Sequence, residues 1–204
     1  DIGYKICKRC SHLNGKFQDT KKYTDYCYKP KTNNYIKFYS KFYSTRVSKI
    51  YNPKVEFLIN FLKKKNVKKN FMWRREGGAG HVLKSLEKRT MLGNGWEKNI
   101  DIEKESKEKL KKNKIFFSRD EETLQKISLS EANILSMIGV LEHLNNPRIF
   151  LKAIKQSKIN YFYASIPMVS LSVLIENLFQ NVYPRQLAAT HTHLYTEKSI
   201  KYLL

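Results

Sequence analysis

Asn133-Ile134-Leu135-Ser136-Met137-Ile138-Gly139-Val140-Leu141-Glu142-His143-Leu144-Asn145-Asn146-Pro147 opens with a nearly continuous apolar run through Val140. Such a run is expected of a strand buried on both faces of a parallel sheet. Behind Pro147, the apolar residues Ile149, Phe150, Ala153 and Ile154 recur at helical spacing. Residues 161–166 then read as a further strand ended by Pro167, and Leu171, Leu174, Ile175 and Leu178 line one face of another helix. The same alternation runs upstream. Residues 114–117 are a short strand, residues 97–102 a strand followed by a charged helix over 103–112, and Phe71-Met72-Trp73 a strand leading into the glycine-rich Glu76-Gly77-Gly78-Ala79-Gly80. A helix follows with Val82, Leu83 and Leu86 inward, and an earlier helix opens at Pro53 with Val55, Leu58, Ile59 and Leu62 on one face. Pro suits a first helical turn because its missing N–H has no intrahelical partner there. Strands alternating with helices require crossover connections, so the expectation is an α/β layered domain over residues 51–204 with a parallel sheet.

Residues 1–50 are rich in Tyr, Lys and Asn and show no sustained periodicity, so they read as a small irregular N-terminal segment. With 41% hydrophobic residues in 204, the chain can bury a core, which excludes wholesale disorder. No uncharged apolar run is long enough to span a bilayer, residues 1–10 lack a signal-peptide stretch, and three cysteines, an odd number, do not make a disulfide framework. The expected location is the reducing cytoplasm, without a membrane partner; composition does not reach the oligomeric state. The formal charge of +21 would attract phosphate backbones or other acidic partners. The basic residues are scattered, however, which equally fits a lysine- and asparagine-rich vocabulary, and a nucleic-acid partner is not favoured.

In parallel sheets ligands bind beyond the carboxyl ends of the strands, near the point where strand order reverses. A glycine turn between strand and helix, here at Gly78 and Gly80, allows a ligand close to the backbone and to the free N–H groups of the helix start. Asp101 lies about 21 residues beyond Gly80, at the expected end of the next strand, where a carboxylate can accept from both hydroxyls of a ribose. The combination points to a nucleoside-containing cofactor.

Ser136 to Pro147, with its apolar run, Leu-Glu-His-Leu, polar pair and Pro, resembles the fourth strand and following turn of the class I S-adenosylmethionine-dependent methyltransferases. Ser165-Ile166-Pro167 matches the Ser-hydrophobic-Pro that ends their fifth strand, and the resemblance spans residues 53–204. It implies a Rossmann-like three-layer sandwich with a mostly parallel sheet. It also implies S-adenosylmethionine as cofactor, held by Glu76, Gly78, Gly80 and Asp101, with Ile138, Gly139, Val140 and Glu142 forming the pocket floor. Two departures stand out. Where the family has acidic-x-Gly-x-Gly-x-Gly, the acid and the first glycine fall on Arg74 and Glu76, which leaves Glu76 to supply the carboxylate from a shifted position. The family's two last antiparallel strands would also lie beyond Leu204, so either the sheet is abbreviated or the chain continues.

Cys7 and Cys10 form one C-x-x-C, half of a zinc site, with His12 and Cys27 as further possible ligands. Residues 4–20 resemble the second Cys pair of the zinc-binding segment that precedes some of these methyltransferases, so zinc is expected only if ligands exist upstream of Asp1. His191 and His193 lie past the fifth-strand unit, beside Pro184-Arg185-Gln186-Leu187, and at alternate positions that point to one side of a strand. With His143 they are the candidates for substrate orientation or proton removal; the His191 and His193 pair is also a candidate for metal binding, with no third ligand identifiable, and Glu176 is a candidate partner. His81 and His12 read as structural. The expected activity is methyl transfer to a small or carrier-linked metabolite, such as a sugar or natural-product precursor. The alternative is a degenerate, non-catalytic copy of the fold that binds RNA or an acidic partner, for which Arg74, Arg75 and the tyrosines of 35–51 are suited.

Overall fold

The computed structural model describes residues 4–15, 34–67, 71–74, 79–171, 173, 175, 179 and 191–204, giving the backbone alone at 34–36, 38, 71–74 and 120. The main sheet consists of β3 (Phe71–Arg74), β4 (Gly93–Glu97), β5 (Lys114–Phe117), β6 (Ile134–Ile138) and β7 (Tyr161–Ser165). Its order is β5-β4-β3-β6-β7, and every pair is parallel. Strand order reverses between β3 and β6, so the crevice favoured for ligands opens at the carboxyl ends of these two strands and their neighbours. All five residues of β6 are buried. Ile134 and Ile138 enter one core cluster and Leu135 and Met137 another, as the two-residue alternation of a strand with both faces covered requires.

Five helices flank the sheet in chain order: α3 (Asn52–Lys64), α4 (Ala79–Glu87), α5 (Ile100–Lys109), α6 (Asp120–Ser128) and α7 (Pro147–Lys155). Helix α3 begins one residue before Pro53 and buries Val55, Leu58, Ile59 and Leu62, the face expected from the sequence. Helix α5 begins earlier than expected, because the Asn99 side chain accepts from the N–H groups of Asp101 (2.9 Å) and Ile102 (3.0 Å) and caps it. The strand expected over residues 97–102 therefore corresponds to β4, which ends at Glu97, and Asp101 lies in the first turn of α5.

The N-terminal segment is not irregular where it is described. It holds a hairpin of β1 (Tyr4–Ile6) and β2 (Leu13–Gly15), then α1 (Asn34–Lys41), α2 (Tyr43–Arg46) and a π-helical turn, Val47–Tyr51. Tyr39, Tyr43, Val47 and Tyr51 are spaced by four and all buried, a stripe in which three of the four residues are tyrosines. Three of them surround the buried His81 of α4, with ring centroids at 4.4 Å (Tyr39), 4.6 Å (Tyr43) and 4.9 Å (Tyr51), which gives His81 a packing role. Strand β2 also pairs antiparallel with β8 (His193–Leu194), just before α8 (Glu197–Leu203), so the hairpin is stitched to residues near position 200.

Candidate functional site

The crevice at the carboxyl ends of the strands is built from four short segments. At the end of β4, Glu97 is fully buried and its Oε1 accepts from the N–H groups of Lys98 (3.0 Å) and Asn99 (3.1 Å). Those bonds turn the chain out of the strand and hold a carboxylate at its tip. Beyond β6, Gly139 has φ 65°, a left-handed conformation that glycine adopts without the Cβ penalty, and its N–H donates to Ser165 C=O at 2.7 Å. The 3-10 turn Leu141–His143 follows and places Glu142 inward. Beyond β7, Ser165, Ile166 and Pro167 form the opposite wall.

A cavity of about 310 Å³ lies among Ile138, Gly139, Glu142, the Ser165-to-Pro167 wall and, from the N-terminal side, Arg46, Tyr51 and Lys54. Burial pushes the Lys54 ammonium below its usual range, and the Glu142 carboxylate works in the opposite direction. Ile138, Gly139 and Glu142 line this cavity. Val140 does not: it is buried in the core beside Leu135, Met137 and Leu141. Gly80 also departs from its expected place in a turn, since it is a buried helical residue of α4. A Cβ there would lie 2.2 Å from Ser106 Oγ, so the glycine is required by the approach of α5. Asp101 is half-buried on α5 while Glu97 occupies the strand end. The Asn99 cap with acidic residues two and four positions on was the local signal that the strand stops before Asp101. Glu76, Gly78, Arg75, Glu176, Cys27 and residues 184–187 lie outside the described residues.

The histidines divide into two groups. Tyr195 donates its hydroxyl to Leu141 C=O (3.1 Å) and Thr192 donates its hydroxyl to Glu142 C=O (3.0 Å), which docks residues 191–195 on the turn after β6. Tyr4 holds the same segment from the hairpin by donating to His191 C=O at 3.1 Å. The result brings the rings of His143 and His191 together, with centroids 4.9 Å apart. Glu142, His143 and His191 place one ligand atom each within 4.8 Å of the others.

His193 does not join them, contrary to the expectation that His191 and His193 face the same way. Only His193 lies within β8, while His191 precedes the strand, so the two-residue alternation does not relate them. His193 Nδ1 instead lies 3.0 Å from His12 Nε2 beside a separate cavity of about 380 Å³ that includes Cys7, Cys10, Arg148 and Tyr202. Burial, with the adjacent His193 adding to it, pushes His12 down to about 4, and burial likewise lowers His193. Cys7 and Cys10 are free thiols in the hairpin turn, and among the described residues no metal-binding group of three includes them. Backbone N–H groups of Cys10 and Arg9 lower the Cys7 thiol. Among the described residues no helix is long and apolar enough to cross a membrane.

A scan against protein-family models finds no match. No curated protein matches in sequence. Solved structures do match in fold. The plantazolicin methyltransferase BamL, in complex with a triazolic desmethylPZN analog and SAH, aligns over 89% of this chain and 68% of its own, with TM-score 0.63 and 16% identity. Magnesium protoporphyrin IX methyltransferase (ChlM) from Synechocystis PCC 6803 with bound SAH aligns over 88% and 84%, with TM-score 0.60 and 11% identity. A SAM-dependent methyltransferase from Archaeoglobus fulgidus aligns over 83% and 72%, with TM-score 0.56 and 19% identity. The parallel strand order and these neighbours together show that the chain has the α/β, Rossmann-like fold of the S-adenosylmethionine-dependent methyltransferases.

Proposed function

We propose that the protein is an S-adenosylmethionine-dependent methyltransferase acting on a small or carrier-linked metabolite. The observation that carries this reading is the pairing of a buried carboxylate at the tip of β4 with an open cavity at the tips of β6 and β7, on the two sides of the point where strand order reverses. Glu97, rather than Asp101, is the residue assigned to the ribose hydroxyls, because it ends β4 at the carboxyl edge of the sheet whereas Asp101 lies in the first turn of α5. Gly78 and Glu76 are assigned to the loop that would lie against the cofactor, and Ile138 and Gly139 to the floor. Two core clusters that divide the residues of β6 between them support the three-layer arrangement.

Methyl transfer asks the protein mainly to align donor and acceptor, since an in-line attack on the sulfonium carbon needs no covalent intermediate. Lys54 and Arg46 give the cavity a cationic wall that suits an anionic group on the cofactor or the acceptor. The cavity is also the space assigned to the acceptor, which enters from its open side.

Isothermal titration with S-adenosylhomocysteine at moderate salt is the test. Binding that weakens in Glu97→Gln supports the reading. Absence of binding, together with RNA affinity that falls steeply with salt, would establish the degenerate binding module in its place.

A further inference from the structure

We propose that Glu142, His143 and His191 form a divalent transition-metal site whose open coordination positions face the cavity at the ends of β6 and β7. The three offer one carboxylate and two imidazole ligands, all within 4.8 Å of one another. Protein ligands around such an ion sit about 3–3.5 Å apart for bonds of 2.0–2.2 Å, so side-chain adjustments on the order of 1 Å close the set. Two imidazoles and one carboxylate suit Zn(II), Co(II), Mn(II) or Fe(II), and three protein ligands leave positions for water or substrate.

Two features show a held geometry rather than a chance meeting of side chains. Glu142 and His143 belong to one 3-10 turn, and Gly139, its neighbour in sequence, is locked to β7 through Ser165. His191 is brought from far along the chain by two anchors: the Tyr4 hydroxyl donates to its carbonyl, and the Gly15 N–H donates to the carbonyl of Thr192 at 2.9 Å. Thr192 and Tyr195 fasten that segment to Glu142 and Leu141. Glu142 lines the cavity as well, so an ion on it would border the space assigned to the acceptor.

The metal site stands on this geometry alone; its role rests on the methyltransferase reading. A hydroxyl of the acceptor bound at an open position would lose its proton to solvent more readily, because the cation stabilises the alkoxide. The alkoxide lone pair then attacks the sulfonium methyl carbon, the C–O bond forms, the C–S bond breaks, and the sulfur leaves as the neutral thioether. This assigns the acceptor to hydroxyl-bearing molecules.

The experiment is Co(II) titration of Cys7→Ser/Cys10→Ser protein, followed by its visible d–d absorption and by calorimetry, with S-adenosylhomocysteine titrated separately into the same samples. One equivalent of Co(II) is expected, without thiolate charge transfer, and with affinity lowered at least about 10–100-fold in each of His143→Gln, His191→Gln and the near-isosteric Glu142→Gln. No Co(II) binding to the doubly substituted protein, or binding indifferent to His143→Gln and His191→Gln in samples with unchanged melting curves, overturns the site. Loss of the metal site with S-adenosylhomocysteine binding intact would leave the methyltransferase reading standing. Metal binding with no S-adenosylhomocysteine binding would overturn that reading and keep the site.

Discussion

Replacing Gly80 by alanine adds one methyl group where α4 and α5 are in contact. The new Cβ would stand 2.2 Å from Ser106 Oγ, 2.6 Å from Ser106 Cβ and 3.0 Å from the Tyr39 hydroxyl. A rotamer change of Ser106 relieves the first contact but not the second, so the helices must separate. Overpacking of this kind costs about 1–3 kcal/mol. Displacing Ser106 also weakens its 3.0 Å hydrogen bond to Tyr39, worth roughly 0.5–1.5 kcal/mol. Alanine returns up to about 1 kcal/mol through helix propensity. The net expectation is destabilisation by about 1–3 kcal/mol, or roughly 2–12 °C in melting temperature for a chain of this size. Urea denaturation of Gly80→Ala, Ser106→Gly and the double variant isolates the clash, because Ser106→Gly removes the atoms that the methyl group meets. The coupling between the two substitutions should be favourable by at least about 1 kcal/mol. A coupling near zero, or a Gly80→Ala protein of unchanged stability that no longer binds S-adenosylhomocysteine, would refute the packing role and make Gly80 a cofactor contact.

Glu97→Gln should weaken S-adenosylhomocysteine by about 1.5–3 kcal/mol while retaining an acceptor for the N–H groups of Lys98 and Asn99, whereas Asp101→Asn should change affinity less than about threefold; calorimetry reads both. Gly139→Ala forces a side chain into φ 65° and should cost about 1–2 kcal/mol of stability in urea, with closure of the nearby cavity lowering cofactor affinity. Glu87 is partly desolvated, which raises its pKa, but the N–H groups of Asn113, Lys112 and Lys111 and the Lys84 ammonium more than offset this and hold it below the ordinary 4.5. A depressed carboxylate contributes stability above its unfolded pKa and loses it as pH falls through the folded value, so Glu87→Gln should flatten the stability–pH curve below about pH 4.5. An unchanged acid limb in urea melts would count against that. Tyr195→Phe with Thr192→Val removes both hydroxyl anchors of the 191–195 segment and should lower Co(II) affinity without touching a ligand.

The apolar run of β6 was legible because a strand buried on both faces is apolar at nearly every position, and the short aromatic-rich runs of the half-buried edge strands β5 and β7 were legible from their β-forming residues. Helix α3 was legible from Pro53 and its apolar face for a similarly local reason. The tyrosine stripe of residues 39–51 was not, since its partners His81 and Ile102 are distant in sequence and tyrosine does not declare which of its ends is buried. Asp101 and Glu97 were both available as the acid after β4, and the Asn99 cap decided between strand end and helix.

The histidines mark the boundary most clearly. Glu142 and His143 are adjacent in the chain and could be suspected from their motif, but their meeting with His191, and the diversion of His193 to His12, depend on how the β2–β8 pairing and the Tyr195 and Thr192 hydrogen bonds orient the last segment. Residue types and short-range spacing are carried by the chain itself, because they act through local sterics and burial patterns. Which ligand atoms converge is a matter of contacts between residues almost fifty positions apart or more, and only tertiary packing resolves it.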